Sequence, residues 1–346
     1  MWAVSQGNWP KKAFLPGNLL ILIEEFSPHG LRKVRMRTIN KEQILAKAGH
    51  VVVLKGGTSP ERDISLLSGE AVAASLERLG VNISVIDVGE NIANELQAAA
   101  PDLVVNMLHG QGGEDGVIQG MMDLLGIPYT GSGVLASALA MDKVKSKLIW
   151  RQLGLPTADF VVLHDDSDWN DIIASFGKVV VKPIYGGSSL GIAIVETAEQ
   201  LQEQYKNAMT FDQGVMAEKY VDGPEYSVGI LGDELLPTIL LETDRQFFDY
   251  EAKYIDENTR IICPVEFEPG ELERIEAMVR QSYHSLGCSG LARVDFMQDA
   301  AGDFYLLELN TVPGMTSHSF VPTSAARIGI DFDELMLRIL DCELSH

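Results

Sequence analysis

Cysteine is scarce in this 346-residue chain: three residues, Cys263, Cys288 and Cys342, stand far apart with no paired CxxC. That spacing argues against a disulfide framework and a thiolate zinc site, and it suits a reducing, cytoplasmic setting. Positive charge is also short. Lys and Arg number 27 against 49 Asp and Glu, a net charge of −22, so neither nucleic acid nor an anionic membrane surface is an expected partner. A bound phosphate would need a locally cationic pocket. No apolar run approaches the roughly 20 residues that span a bilayer. The run at 19–23 meets Glu24 and Glu25 at once, and no secretory signal pattern follows it. Two nucleotide fingerprints are missing as well: no GxxxxGK[ST] occurs, and Gly56-Gly57-Thr58-Ser59 breaks the GxGxxG spacing, which argues against a dinucleotide dehydrogenase.

What is present is a folding chain, with 46% hydrophobic and 22% charged residues, long enough for two or three domains sharing clefts. Residues 1–47 lack sustained periodicity and are expected to be a poorly ordered extension, with Met36 an alternative start. From residue 50 the pattern becomes regular. Residues 51–54 read as a strand ending at Gly56-Gly57, Leu66, Val72, Leu76 and Leu79 recur at helical spacing, and further strands are expected at 81–88 and 101–108. Residues 48–131 thus read as a small parallel α/β domain. Gly131-Ser132-Gly133 marks a hinge, a single long helix is expected over 134–154, and Pro156 opens a region of closely spaced strands.

Residues 178–182 and 192–195 are expected to pair as a hairpin around the Gly/Ser tip at 183–191. Its glycines allow close backbone approach to an anion, Ser188 and Ser189 add donors, and Lys182 supplies charge at the base. Taken alone, an ordinary mobile hairpin fits equally well. A second antiparallel pair, 291–298 with 304–310, turns at 299–302. Period two places Arg293 and Asp295 on one face of the first strand and Glu308 and Asn310 on one face of the second, with Asp295 opposite Glu308. These oxygen donors suit Mg²⁺ or another hard cation, and the competing reading is a solvated polar face. Lys143 and Lys182 could neutralise a triphosphate. The strand 215–221, with backbone groups at its end and Glu225 beyond, could read an adenine and a ribose diol.

Together, the blocks at 109–116, 129–133, 141–143, 186–189, 250–254, 293–295 and 308–318 closely resemble D-alanine–D-alanine ligases of the ATP-grasp superfamily. The resemblance runs over about residues 49–341. It implies a three-domain α/β (α+β) ATP-grasp fold: the parallel domain at 48–131, then antiparallel subdomains at 132–230 and 231–346 that clamp ATP. It also implies the site. Lys143, Lys182, Gly187, Ser188, Ser189, Glu218, Lys219, Tyr220, Val221, Glu225 and Lys253 match nucleotide contacts, and Asp295, Glu308 and Asn310 match ligands of two Mg²⁺ or Mn²⁺ ions. Glu61 matches the residue that binds the first D-alanine's ammonium, with His109 beside it. Ser188 and Tyr254 match its partners in a network that closes a lid. Arg293 matches the stabiliser of a tetrahedral intermediate, and Gly314 and Ser319 match contacts to the second D-alanine. Gly186 and Phe248 depart from residues some relatives carry, which puts tight lid closure in doubt.

The implied activity makes D-alanyl-D-alanine for peptidoglycan from ATP and two D-alanines through a D-alanyl phosphate, in a homodimer. Two alternatives stand beside it. A D-alanine–D-lactate ligase is disfavoured by Tyr254, and a non-catalytic ATP-binding module by the presence of all of Asp295, Glu308, Asn310 and Arg293.

Overall fold

The computed structural model describes residues 36–187, 190–212, 214–242 and 260–344. Helix α1 (Lys41–Ala48) is capped by Asn40, whose side chain accepts from the Gln43 N–H at 3.1 Å. Ile44 and Ala48, one turn apart, are buried. The extension expected to reach residue 47 therefore gives way earlier to part of the core.

Strand β1 (His50–Gly56) lies between β2 (Asn82–Val88) and β3 (Leu103–Asn106), all parallel, with Val51 opposite both Ile83 and Leu103. Helix α2 (Arg62–Leu79) makes the β1–β2 crossover and stops at Gly80, whose φ of +81° only glycine adopts readily. After α3 (Ile92–Ala99) and α4 (Val117–Leu125), the single helix expected over 134–154 is two. Asp142 takes extended backbone between α5 (Val134–Met141) and α6 (Lys143–Gln152), and its carboxylate accepts from the Lys145 N–H at 2.9 Å. The N-cap wins over helix continuation because it satisfies a donor that α6 would otherwise leave open. The hinge before α5 is pinned: Gly131 N–H donates to Glu343 at 2.8 Å, and Ser289 Oγ donates to the Gly131 carbonyl at 2.9 Å.

The second sheet is antiparallel, in the order β4 (Phe160–Leu163), β7 (Val215–Lys219), β5 (Val179–Pro183), β6 (Ala193–Val195). The expected glycine hairpin is the β5–β6 pair, with Val179 opposite Val195. Helices α7 (Trp169–Phe176) and α8 (Ala198–Ala208) bury Ile172, Leu201 and Tyr205 against Val179 and Val181. In the third sheet, β8 (Glu225–Leu231) lies between β10 (Ile239–Glu242) and β12 (Leu291–Gln298). Strand β11 (Arg260–Ile262) edges one side, β13 (Phe304–Asn310) the other, and β9 (Glu234–Leu235) pairs with β8. Helix α9 (Pro269–Ser285) covers the face formed by Tyr226, Val294 and Phe296.

Two last helices, α10 (Phe320–Arg327) and α11 (Phe332–Leu344), return the chain to its beginning. Leu335, Met336, Ile339 and Leu340 share one core with Val51, Val53, Val72, Leu76 and Ile44. The C-terminal segment thereby completes the apolar cover of the parallel sheet, and it fixes the loop before α10 against the start of α2.

Candidate active site

Helix α2 begins beside the loop after β3, and that junction sets the first wall. Ser59 Oγ donates to the His109 carbonyl at 2.6 Å and accepts from the Glu61 N–H at 3.1 Å. His109 is buried, with Nε2 3.3 Å from Ser68 Oγ and Nδ1 3.7 Å from Glu114. Glu114 also accepts from the Gly110 N–H at 2.8 Å. Ser68 Oγ takes the Met315 N–H at 3.1 Å, so one hydroxyl ties this wall to the loop after β13.

The β12–β13 ribbon forms the opposite wall. Asp295 lies opposite Glu308 and Arg293 opposite Asn310, as period two predicts, with a register shift just after Asp295. Arg293 donates to Asp295 through Nε at 2.9 Å and Nη2 at 2.7 Å, and its guanidinium sits 5.4 Å from the Phe320 ring centre. Buried Asp295 also accepts from Ser227 Oγ at 2.6 Å. Ser319 stands at the N-cap position of α10, where its Oγ turns back to accept from the Thr316 N–H at 3.0 Å instead of capping the helix. One cavity is lined by Glu61, His109, Gly187, Arg293, Glu308, Asn310, Gly314 and Ser319, together with Glu114, His318 and Phe320. Residues far apart in the chain thus share one space. A Cβ on Gly187 would lie 2.3 Å from Glu61 Oε1, so a larger residue there obliges that carboxylate or the hairpin to shift.

Among the described residues, no group of three His, Cys, Asp or Glu side chains is poised for a metal. The Asp295–Glu308 pair with Asn310 offers only oxygen donors, a set that fits a hard cation completed by phosphate or water.

A second polar centre lies between the two antiparallel sheets. Lys143, at the start of α6, donates to the Gly186 carbonyl and lies 3.3 Å from Glu308. One turn on, Lys147 is wholly buried and donates to Glu218 at 2.7 Å, Thr157 Oγ1 at 2.7 Å and the Leu306 carbonyl at 3.0 Å. Lys182 contacts the other oxygen of Glu218. Burial drags Lys147 down to about 8 despite the attraction of Glu218, with Lys182 pushing the same way as burial. Burial alone would raise Glu218, but the attraction of both lysines holds it below the usual carboxylate range.

Two family models match, one described as D-ala D-ala ligase C-terminus over residues 149–341 and one as D-ala D-ala ligase N-terminus over residues 87–132. A D-alanine--D-alanine ligase of Chromohalobacter salexigens is 51% identical over 294 residues, spanning 85% of this chain and 94% of the relative. The chain belongs to the D-alanine–D-alanine ligase family. A second member, from Nitrosococcus oceani, is 49% identical over 86% of this chain and 95% of its own length. Among solved structures, the Bacillus anthracis ligase complexed with ATP superposes with a TM-score of 0.76 at 34% identity, covering 86% of this chain and 98% of that one. D-alanyl-alanine synthetase A from Vibrio cholerae gives 0.77 at 26% identity, covering 87% and 99%. The ATP-grasp architecture expected for the family is the one found.

Other expected nucleotide positions lie on the second and third sheets. The strand carrying Glu218 is an interior one, and at its end Lys219 N–H donates to the Asp159 carbonyl at 2.8 Å and Tyr220 N–H to that of Lys178 at 2.9 Å. Glu218 is held by lysines on both sides, and Lys219 is exposed. Glu225 begins β8 opposite Leu241 and Met297. Ser188, Ser189, Phe248, Lys253 and Tyr254 lie outside the described residues. Lys147, Ser227 and Phe320 were missed by sequence reasoning; Lys147 alone carried a signal, its four-residue spacing from Lys143 on one helix face.

Proposed function

We propose that the protein is an ATP-dependent D-alanine–D-alanine ligase that produces D-alanyl-D-alanine, ADP and phosphate for peptidoglycan. The observation that carries the reading is the cavity joining Glu61, Arg293, Glu308 and Ser319, with the buried cluster of Lys143, Lys147 and Lys182 on the neighbouring elements, in a chain so similar to D-alanine--D-alanine ligases over most of its length.

In this reading Glu61 receives the ammonium of the first D-alanine and leaves its carboxylate facing the nucleotide. Lys143 and Lys182 meet the phosphates, and Gly187, Ser188, Ser189 and Lys253 share in binding the nucleotide. Glu225 accepts from the ribose, and the chain at Lys219, Tyr220 and Val221 borders the adenine. The carboxylate attacks the γ-phosphorus, ADP leaves, and an acylphosphate results. Ser319 and Gly314 hold the second D-alanine by its carboxylate. Its amine then attacks the acyl carbon, and Arg293, whose guanidinium keeps its proton at any working pH, stabilises the oxyanion before phosphate departs. Asp295, Glu308 and Asn310 would hold Mg²⁺ or Mn²⁺, which when bound neutralises charge on phosphate oxygens. Ser188 and Tyr254 close the site against water, which would hydrolyse the acylphosphate.

A homodimer is supported by apolar side chains exposed on neighbouring helices, Val117 and Leu124 on α4 and Leu135 on α5. A cytoplasmic site of action is supported by three unpaired thiols. No helix among the described residues is long and apolar enough to cross a membrane. The test is a coupled assay of ADP release by purified protein. D-alanine is expected to drive release and L-alanine is not; release independent of D-alanine would reject the proposal.

A further inference from the structure

Every N–H of the Lys147 ammonium has a protein acceptor, and the three acceptors come from three places. Glu218 lies on β7 of one sheet, Leu306 on β13 of the other, and Thr157 on the segment between α6 and β4. Thr157 Oγ1 also donates to the Leu306 carbonyl at 2.9 Å. Nothing in this arrangement leaves Lys147 able to reach a ligand, yet a lysine buried with no exposed surface is retained. A methionine of similar volume would fill the space without desolvating a charge. The charge therefore calls for a reason.

The reason lies in the count. Lys147 and Lys182 share one carboxylate, so the cluster of two cations and one anion carries a net positive charge inside the protein. Were Lys147 absent, Glu218 would neutralise Lys182 one to one. With Lys147 present, Glu218 is held from behind and its attraction is divided. Lys182 then keeps charge to offer an anion, and the low dielectric around the cluster strengthens that attraction.

We infer that Lys147 is a positioning residue for nucleotide binding, fixing the Glu218 carboxylate and so freeing the Lys182 ammonium to meet phosphate. This rests on the ligase reading only for the identity of the anion as a nucleotide. Lys147 itself touches no substrate.

The test is calorimetric titration of the full-length protein with ADP, alongside steady-state kinetics. Lys147→Met is expected to weaken ADP at least tenfold and raise KM for ATP similarly, while KM for D-alanine stays within twofold. Adding Glu218→Gln restores the net charge, so the double variant should bind ADP at least threefold more tightly than Lys147→Met alone. A purely structural lysine predicts the opposite, with losses that accumulate and no recovery. ADP affinity within twofold of wild type in Lys147→Met, or no recovery in the double variant, overturns the inference. Should Lys147→Met fail to fold by circular dichroism, Thr157→Val serves: it removes one acceptor without changing charge, and an expected threefold weakening of ADP that does not appear counts equally against it. Wild-type protein that binds ADP but shows no D-alanine dependence would sink the ligase reading and leave this comparison readable.

Discussion

The cavity at Glu61 and the lysine cluster at Glu218 are held in place by opposite means. The cavity is assembled from loop and helix-start residues facing the β12–β13 ribbon, with Ser59, Ser68 and Ser319 hydroxyls bonded to backbone groups around it. The cluster stands on a helix and two strand positions, and its charges satisfy one another away from water. Backbone-anchored hydroxyls fix the shape of a pocket without adding charge, which suits discrimination of a small zwitterion. Buried ion pairs fix charge at the expense of desolvation, which suits a polyanion whose binding repays that expense. Damage to the first region should therefore appear in chemistry or in D-alanine affinity, and damage to the second in nucleotide affinity.

The largest break in that pattern is expected at Arg293. Arg293→Ala removes the donor proposed for the oxyanion and leaves buried Asp295 without its bidentate partner. Loss of one oxyanion donor lowers kcat by about 10²–10³, and D-alanine-dependent ADP release should fall by that much while ADP binding persists. A kcat within tenfold of wild type would remove Arg293 from the mechanism. Next is Glu61→Gln, which keeps the shape of the side chain and removes its charge. Hydrogen bonds to charged groups contribute about 1.5–3 kcal/mol, so KM for D-alanine should rise roughly tenfold to a hundredfold with KM for ATP unchanged. Equal rises in both would erase the contrast between the two regions.

Legibility in sequence followed the same division. Period two put Arg293, Asp295, Glu308 and Asn310 on one ribbon face because local alternation and one short turn determine it. Lys147 was equally local, four residues from Lys143, and was passed over because lysine ordinarily means a solvated surface. Ser227 was beyond reach, since its contact with Asp295 requires β8 to lie next to β12, a pairing across more than sixty residues of chain. The joining of Leu340 to Val51 was likewise invisible, because two separate apolar stripes carry no label of their partner. The break at Asp142 depends on its carboxylate taking the Lys145 N–H, a local contact that apolar periodicity over 134–154 does not register.

Gly187 tests the border between the regions, since it belongs to the glycine hairpin and touches the Glu61 side chain. Gly187→Ala puts a methyl where Glu61 Oε1 lies, at 2.3 Å, so the carboxylate must rotate or the hairpin must move. Either response should raise KM for D-alanine several-fold. If the hairpin moves, KM for ATP rises with it; if Glu61 rotates, KM for ATP stays put. A variant with both constants unchanged would show that the close approach has no part in substrate binding.

The smallest effect lies at the hinge that joins the cavity wall to α5. Burial raises Glu343 from 4.5 to about 7, against the Gly131 N–H bond that favours its charged form. An acid with a raised pKa in the folded state binds its proton more tightly folded than unfolded, so folding stability falls as pH climbs from about 4.5 to about 7 and stays lower above that. Glu343→Gln keeps a carbonyl for Gly131 and removes the titration. At pH 8 the variant should be about 1–2 kcal/mol more stable than wild type, a rise in Tm of roughly 2–6 °C. At pH 4.5 the two melting curves should coincide. A benefit that persists unchanged at pH 4.5 would mean that packing, not charge, sets the behaviour of Glu343. Because Glu343 touches the hinge and neither the cavity nor the lysine cluster, both KM values should stay at wild type throughout, and a shift in one of them would reveal which region the hinge serves.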